Sequence, residues 1–190
     1  MKKLIFFIAL LPFLIQAQSV YRFNNYTINN GLSQSSVNTI LQDDNSALWI
    51  GTQDGLNRFD GEKFEIFNSD EVDGIDNPFI TSSAKTKDGK LWFGTRNGLT
   101  SYSLETEVFQ TFTPENKINL VVSSIAVGLE SNIWISTENQ GVLKFNSTTQ
   151  KFQSLNWGNS TLDVSSIVRF EKSLIIRTGS QELYIYNLSD

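Results

Sequence analysis

Apolar and polar residues exchange places quickly along this chain. From residue 31 onward the apolar positions fall in short β-branched and aromatic runs, and polar clusters rich in Asp, Asn and Gly separate them. No stretch keeps apolar residues at i, i+3, i+4 and i+7 over a useful length, so the pattern predicts strands rather than helices. The first group of runs predicts strand A near residues 36–41, B at 48–52, C at 56–60 and D at 63–67. Asp43-Asp44-Asn45-Ser46, Asp54-Gly55 and Asp60-Gly61 lie between them. Asn, Asp and Gly tolerate the positive φ of tight hairpins, so each gap reads as a turn joining antiparallel neighbours.

The same group returns. Leu48-Trp49-Ile50-Gly51-Thr52 is followed by Leu91-Trp92-Phe93-Gly94-Thr95, by Ile133-Trp134-Ile135-Ser136-Thr137, and by a worn copy, Leu174-Ile175-Ile176-Arg177-Thr178. The second positions are 43, 42 and 41 residues apart, and three of the 4 tryptophans occupy that one position. Downstream an aromatic recurs as Phe59, Tyr102, Phe145 and Tyr186, then a Phe-x-x-apolar step as Phe64/Phe67, Phe109/Phe112 and Phe152/Leu155. Upstream stand Val37–Leu41, Ile80–Ala84, Val122–Val127 and Val164–Val168. Four antiparallel strands in about 42 residues is the pattern of a β-propeller blade, because one such sheet buries both faces only by stacking on others. Solenoid repeats are shorter, and sandwiches do not repeat at this period. Trp49, Trp92, Trp134, Phe59, Tyr102 and Phe145 are therefore assigned to the core between blades. Gly51 and Gly94 are assigned to close sheet-to-sheet approach.

The first 17 residues follow another rule. Lys2 and Lys3 precede an apolar run from Leu4 to Ile15, then Gln16 and the small Ala17. This reads as a signal peptide cleaved after Ala17, since the run is too short to span a bilayer. Residues 18–190 then hold the repeats: a D-like strand at 20–30, blades at 31–67, 78–112 and 120–155, and a partial blade at 163–190. Composition narrows the chemistry. The chain has 190 residues, no Cys and no His, which removes disulfides, thiolate metal sites, Cys nucleophiles and His-dependent catalysis. The net charge is −5, and −7 without Lys2 and Lys3. An acidic chain without a basic block is not built for nucleic acid. Nothing after the leader is long and apolar enough for a membrane span.

Gly31-Leu32-Ser33, Val37, Ile40, Gln42-Asp43, Leu48-Trp49-Ile50-Gly51-Thr52, Gly55-Leu56-Asn57-Arg58-Phe59-Asp60-Gly61 and Phe64 together resemble the two-component regulator propeller repeat. Lys87-Asp88-Gly89, Leu91-Trp92-Phe93-Gly94-Thr95 and Gly98-Leu99 repeat it. The resemblance is strong over 31–112, fair over 121–155 and weak over 163–188. It implies the N-terminal periplasmic region of a hybrid two-component sensor of the Bacteroidetes type. Such proteins have two seven-bladed propellers, an immunoglobulin-like module, a membrane helix and a histidine kinase, and they respond to poly- or oligosaccharides. The partners it implies are an oligosaccharide, the remaining blades and signalling domains of a parent protein, and a second copy through that parent. It implies no cofactor and no metal. With no His, this chain cannot itself be the phosphorylated kinase. Part of a seven-bladed propeller is the preferred architecture. The alternative is a four-bladed ring in which the D-like Phe23–Ile28 segment completes the last blade.

In a propeller the B–C turns and D–A loops emerge at one end. Here that end gathers Gln53, Asp54, Arg96, Asn97, Glu138, Asn139 and Trp157, planar polar groups with an aromatic platform that suit a glycan. Individually each also reads as a solvated turn. Asp43-Asp44-Asn45 lacks the spacing of a calcium loop and reads as a turn, and the acidic 69–76 stretch reads as a hydrated loop. The leading function is a periplasmic ligand-sensing module feeding a two-component pathway. The alternatives are a secreted propeller that scaffolds protein partners and, more weakly, a carboxylate enzyme, for which no acid pair recurs in register.

Overall fold

The computed structural model describes residues 22–68, 74–115, 119–130, 132–156 and 163–188. The signal-peptide segment and Trp157 lie outside them. The fold is all-β, an arc of β-propeller blades. Blade 1 contains β1 (Val37–Gln42), β2 (Leu48–Thr52), β3 (Leu56–Phe59) and β4 (Phe64–Phe67). Blade 2 contains β5 (Ile80–Lys85), β6 (Leu91–Thr95), β7 (Gly98–Ser103) and β8 (Val108–Phe112). Blade 3 contains β9 (Val122–Val127), β10 (Asn132–Thr137), β11 (Val142–Asn146) and β12 (Lys151–Ser154), and blade 4 contains β13 (Val164–Phe170), β14 (Ser173–Thr178) and β15 (Leu183–Asn187). Each is an antiparallel meander in chain order, four-stranded in blades 1–3 and three-stranded in blade 4.

The register explains the repeat. Leu41, Trp49 and Arg58 lie directly opposite one another across β1, β2 and β3, as do Ala84, Trp92 and Ser101 in blade 2 and Ala126, Trp134 and Lys144 in blade 3. Directly opposed residues share a face, so Trp49, Trp92 and Trp134 point to the same side of their blades, toward the next one. Trp49 is fully buried and packs against Phe93, Tyr102 and Phe109 of blade 2 at centroid distances of 5.9, 4.7 and 6.3 Å. Trp92 meets Phe145 of blade 3 at 5.6 Å. Trp134 joins Val164, Ile167, Leu174 and Ile176 of blade 4. Tilted and edge-on geometries match the preference of aromatic quadrupoles.

Close approach has a backbone requirement. A Cβ on Gly51 would stand 2.5 Å from Ile80 Cγ2 of blade 2, and one on Gly94 would stand 2.7 Å from Val122 Cγ1 of blade 3. Both glycines sit two residues after a tryptophan, on the same face, where the innermost strand of the following blade crosses. Those innermost strands, β1, β5, β9 and β13, pack in series.

The arc is open. Ile40 on β1 is 62% exposed and Val168 on β13 is 56% exposed. The four-bladed ring considered from the sequence is therefore not formed. The expected strand over 20–30 is also absent where described: residues 22–27 are irregular, and Ile28–Asn30 form a 3₁₀ turn capped by Thr27. A strand needs a hydrogen-bonded neighbour, and among the described residues none lies beside this segment. It instead lays Tyr26 over Phe59 and Phe64, 5.0 and 5.7 Å away, on the free face of blade 1. Leu32 is buried on that face with Ile50 and Phe59.

Two consequences are measurable. Trp49→Ala removes a fully buried indole from the first interface and should cost about 3–5 kcal/mol, read as a lower urea midpoint. The Tyr102 phenol is held above its ordinary value of 10.0, first by burial and then by the negative charge of Glu107. Its contribution to stability is thus complete below pH 10 and is lost as pH rises through the folded phenol's raised pKa. Urea titrations at successive alkaline pH values should show a falling limb that Tyr102→Phe flattens.

Candidate functional site

Two hydrogen-bond devices shape the ends of the blades. At the A–B end, Asp43 is 4% exposed and its carboxylate accepts from Asn45 N and Ala47 N at 2.9 Å and from Trp49 Nε1 at 2.8 Å. The Asp43-Asp44-Asn45 segment is thus a turn that anchors the first tryptophan. Thr86 takes this place in blade 2, accepting from Trp92 Nε1 at 3.3 Å and donating to the Lys90 carbonyl. Asp60 knits a C–D turn at this end. Its carboxyl is held below the ordinary carboxylate value by the N–H groups of Lys63 and Glu62, both 2.9 Å away.

At the B–C end the device is a threonine. Thr52, Thr95, Thr137 and Thr178 are all buried. Their hydroxyls donate to the carbonyls of Gly55, Gly98, Gly141 and Glu182, at 2.9, 3.1, 2.9 and 3.5 Å. Each oxygen also accepts a turn N–H, from Asp54, Asn97, Gln140 or Glu182, at 3.0–3.2 Å. Backbone bonds then tie these turns to the next blade: Gly55 N donates to the Pro78 carbonyl and Gly98 N to the Leu120 carbonyl, each at 2.8 Å.

The residues singled out from the sequence sit on these stapled turns. Gln53, Asp54, Arg96, Glu138 and Asn139 are exposed, and Asn97 is half-buried. They share the B–C end of the blades. Arg96 is the one fixed in place, its guanidinium 3.9 Å from the centre of the Phe79 ring on the loop that enters blade 2. A cation over an aromatic face keeps its in-plane N–H donors free for a ligand. Trp157, the proposed platform, lies outside the described residues. So do residues 69–73 of the acidic loop, and no cluster of three metal-ligating side chains occurs among the described residues.

The structure adds concavities that the sequence did not indicate. Two cavities of about 480 and 450 Å³ open along the inner strands at the opposite, A–B end. Lys85, Lys87, Leu129 and Arg169 line the first, with Asp88 and Glu130, and Arg169 and Ile167 line the second. Lys85 is drawn off by Asp44 of blade 1 at 2.6 Å. The B–C turn residues line neither cavity. The threonines are the functional scaffold missed in the sequence reading, although their signal was present: Thr closes all four copies of the repeat, including the worn one. Thr95→Val keeps the shape and leaves the Asn97 N–H without its partner, so it should cost about 1–3 kcal/mol in urea unfolding.

Residues 31–54 and 74–97 match the family model described as two component regulator propeller. Over 73 residues the chain is 45% identical to Histidine kinase P4 of Formosa agariphila, covering 36% of this chain and 5% of that protein. Two solved extracellular domains of hybrid two component systems from B. thetaiotaomicron have the same fold. One superposes with a TM-score of 0.76 at 26% identity over 88% of this chain, the other with 0.74 at 21% identity over 93%. The chain spans 25% and 24% of their lengths.

Proposed function

We propose that this chain, whose residues 31–54 and 74–97 are two component regulator propeller repeats, is a ligand-sensing propeller module of a periplasmic two-component sensor, and that its ligand is an oligo- or polysaccharide. The observation that carries the reading is the superposition on extracellular domains of hybrid two component systems. The identity to Histidine kinase P4 supports it independently. A leader over residues 1–17 agrees with export. Among the described residues no helix is long and apolar enough to cross a membrane.

In this reading the module binds and does not catalyse. The chain has no His, so phosphotransfer belongs to other domains of a sensor, which are its partners along with a second sensor copy. The saccharide is received at the B–C end. Stapled turns present amides and carboxylates with little freedom to lose, and a preorganised surface binds more tightly for the same contacts. Arg96 on Phe79 supplies planar donors matched to vicinal hydroxyls or a carboxylate.

Calorimetry of the purified chain against a panel of neutral and acidic oligosaccharides tests this. One class should bind, and Arg96→Ala should weaken it about tenfold, the equivalent of about 1.4 kcal/mol, while lost contact with Phe79 lowers stability by only about 0.5–1 kcal/mol in urea unfolding. No binding to any saccharide would count against glycan sensing.

A further inference from the structure

The inner strands of blades 2 and 4 carry a cation at the same place near their A–B ends. Lys85 of β5 stands opposite Leu91, and Arg169 of β13 stands opposite Leu174. Gln42 and Val127 hold that place in blades 1 and 3, opposite Leu48 and Ile133. The residue just before each cation, Ala84 or Val168, lies opposite the tryptophan position and so faces the following blade. Side chains alternate along a strand. Lys85 and Arg169 therefore face the preceding blade.

What they meet there differs. Lys85 meets Asp44 of blade 1, 2.6 Å away. Asp44 stands five residues before Trp49, and the residues five before Trp92 and Trp134 are Lys87 and Leu129. The acid-to-cation match of blades 1 and 2 thus becomes Lys87 toward Val127 between blades 2 and 3, and Leu129 toward Arg169 between blades 3 and 4. Both exchanges leave a cation without its acid. Among the described residues the ion pairs are Lys85 with Asp44 and Arg58 with Glu65, so neither Lys87 nor Arg169 is in one. Arg169 Nε is moreover buried with no hydrogen-bond partner. A buried donor left unmet is costly and calls for a partner from outside the chain.

The two cations left over share one cavity. Lys87, Arg169, Val127 and Leu129 all line the space of about 480 Å³ at the A–B end, a volume within the range of about 300–1,000 Å³ typical of small-ligand sites. The lining comes from blades 2, 3 and 4. A sheet stacked on blade 4 would meet its other face, the one carrying Val168 and Ile175, and would leave this cavity untouched. Asp88 and Glu130 also line it, but both are exposed, one residue beyond Lys87 and Leu129 in their turns. They oppose a second negative charge, as does the net charge of −5.

We propose that this cavity binds a small ligand through a single oxyanion, a carboxylate or a sulfate ester. The Arg169 guanidinium grips two of its oxygens through parallel N–H bonds, and Lys87 adds a point charge at the mouth. Val127 and Leu129 pack on the carbon skeleton. The B–C turns line no part of this site, so the inference does not depend on what those turns bind.

Nitrogen-15 NMR of the arginine Nε–H signals tests it, with the Arg169 signal assigned by its loss in Arg169→Lys. That signal should shift saturably with glucuronate or with methyl sulfate and not with glucose, and the anion that saturates it at the lower concentration identifies the oxyanion. Leu129→Asp gives Arg169 the acid that blade 1 gives Lys85. It should weaken binding about tenfold or more, the loss of one charge-assisted hydrogen bond, while the urea midpoint holds or rises. Should that variant unfold, Arg169→Gln followed by calorimetry with the same anion decides, and an unchanged affinity there would overturn the proposal. So would the absence of a saturable shift with either anion, an equal response to glucose, or full binding by Leu129→Asp. Arg96→Ala should leave the response intact. Loss of anion binding in that variant would move the site to the B–C turns and overturn this assignment.

Discussion

Everything in this molecule depends on how closely one four-stranded sheet can approach the next. A single blade has two apolar faces and no interior of its own, so its stability lies in the slab between it and its neighbour. The tryptophan and the glycine two residues later divide that requirement. Trp49 fills the slab near its middle, while Gly51 lets the inner strand of blade 2 come within van der Waals distance where a Cβ would collide with Ile80. Tyr102, Phe109 and Phe145 fill the outer, wider part of the wedge. Aromatic side chains outside and small residues inside are what a radial stack of flat sheets demands.

The polar residues of the repeat serve the same stack from its edges. Asp43 and Thr86 satisfy indole N–H groups that would otherwise be buried without partners. The threonines tighten the B–C hairpins, and backbone bonds from Gly55 and Gly98 fasten those hairpins to the following blade. The B–C turns proposed to meet a ligand therefore have backbones with little freedom. That combination, exposed variable side chains on fixed hairpins, is how a propeller can change what it recognises without changing its core.

Residues 22–36 show what happens when the rule meets the end of the stack. An outer-strand sequence with no sheet to join does not form a strand, yet its aromatic still finds the wedge on blade 1. Packing and hydrogen bonding, which act together in blades 1–3, separate here. The side chain obeys the local hydrophobic opportunity, while the backbone, with no described strand beside it, stays irregular.

The blades themselves were legible in the sequence, because a repeat must present the same residue at the same height in every interface. The four strands of blade 1 fall within a residue of where alternation and turn residues put them. The positions of the tryptophans and the need for small residues at 51 and 94 followed from spacing alone. The candidate site was legible only as a set of turns. Nothing in the sequence says that Arg96 lies on Phe79, a residue 17 positions away, since that contact is made between a hairpin of one strand pair and the loop entering the same blade. The open arc and the fate of residues 22–30 were likewise decided in three dimensions. A sequence fixes which face each side chain takes within its own sheet by local geometry, but closure depends on the accumulated angle between sheets, and strand formation at an edge depends on whether a neighbour is there to accept its hydrogen bonds.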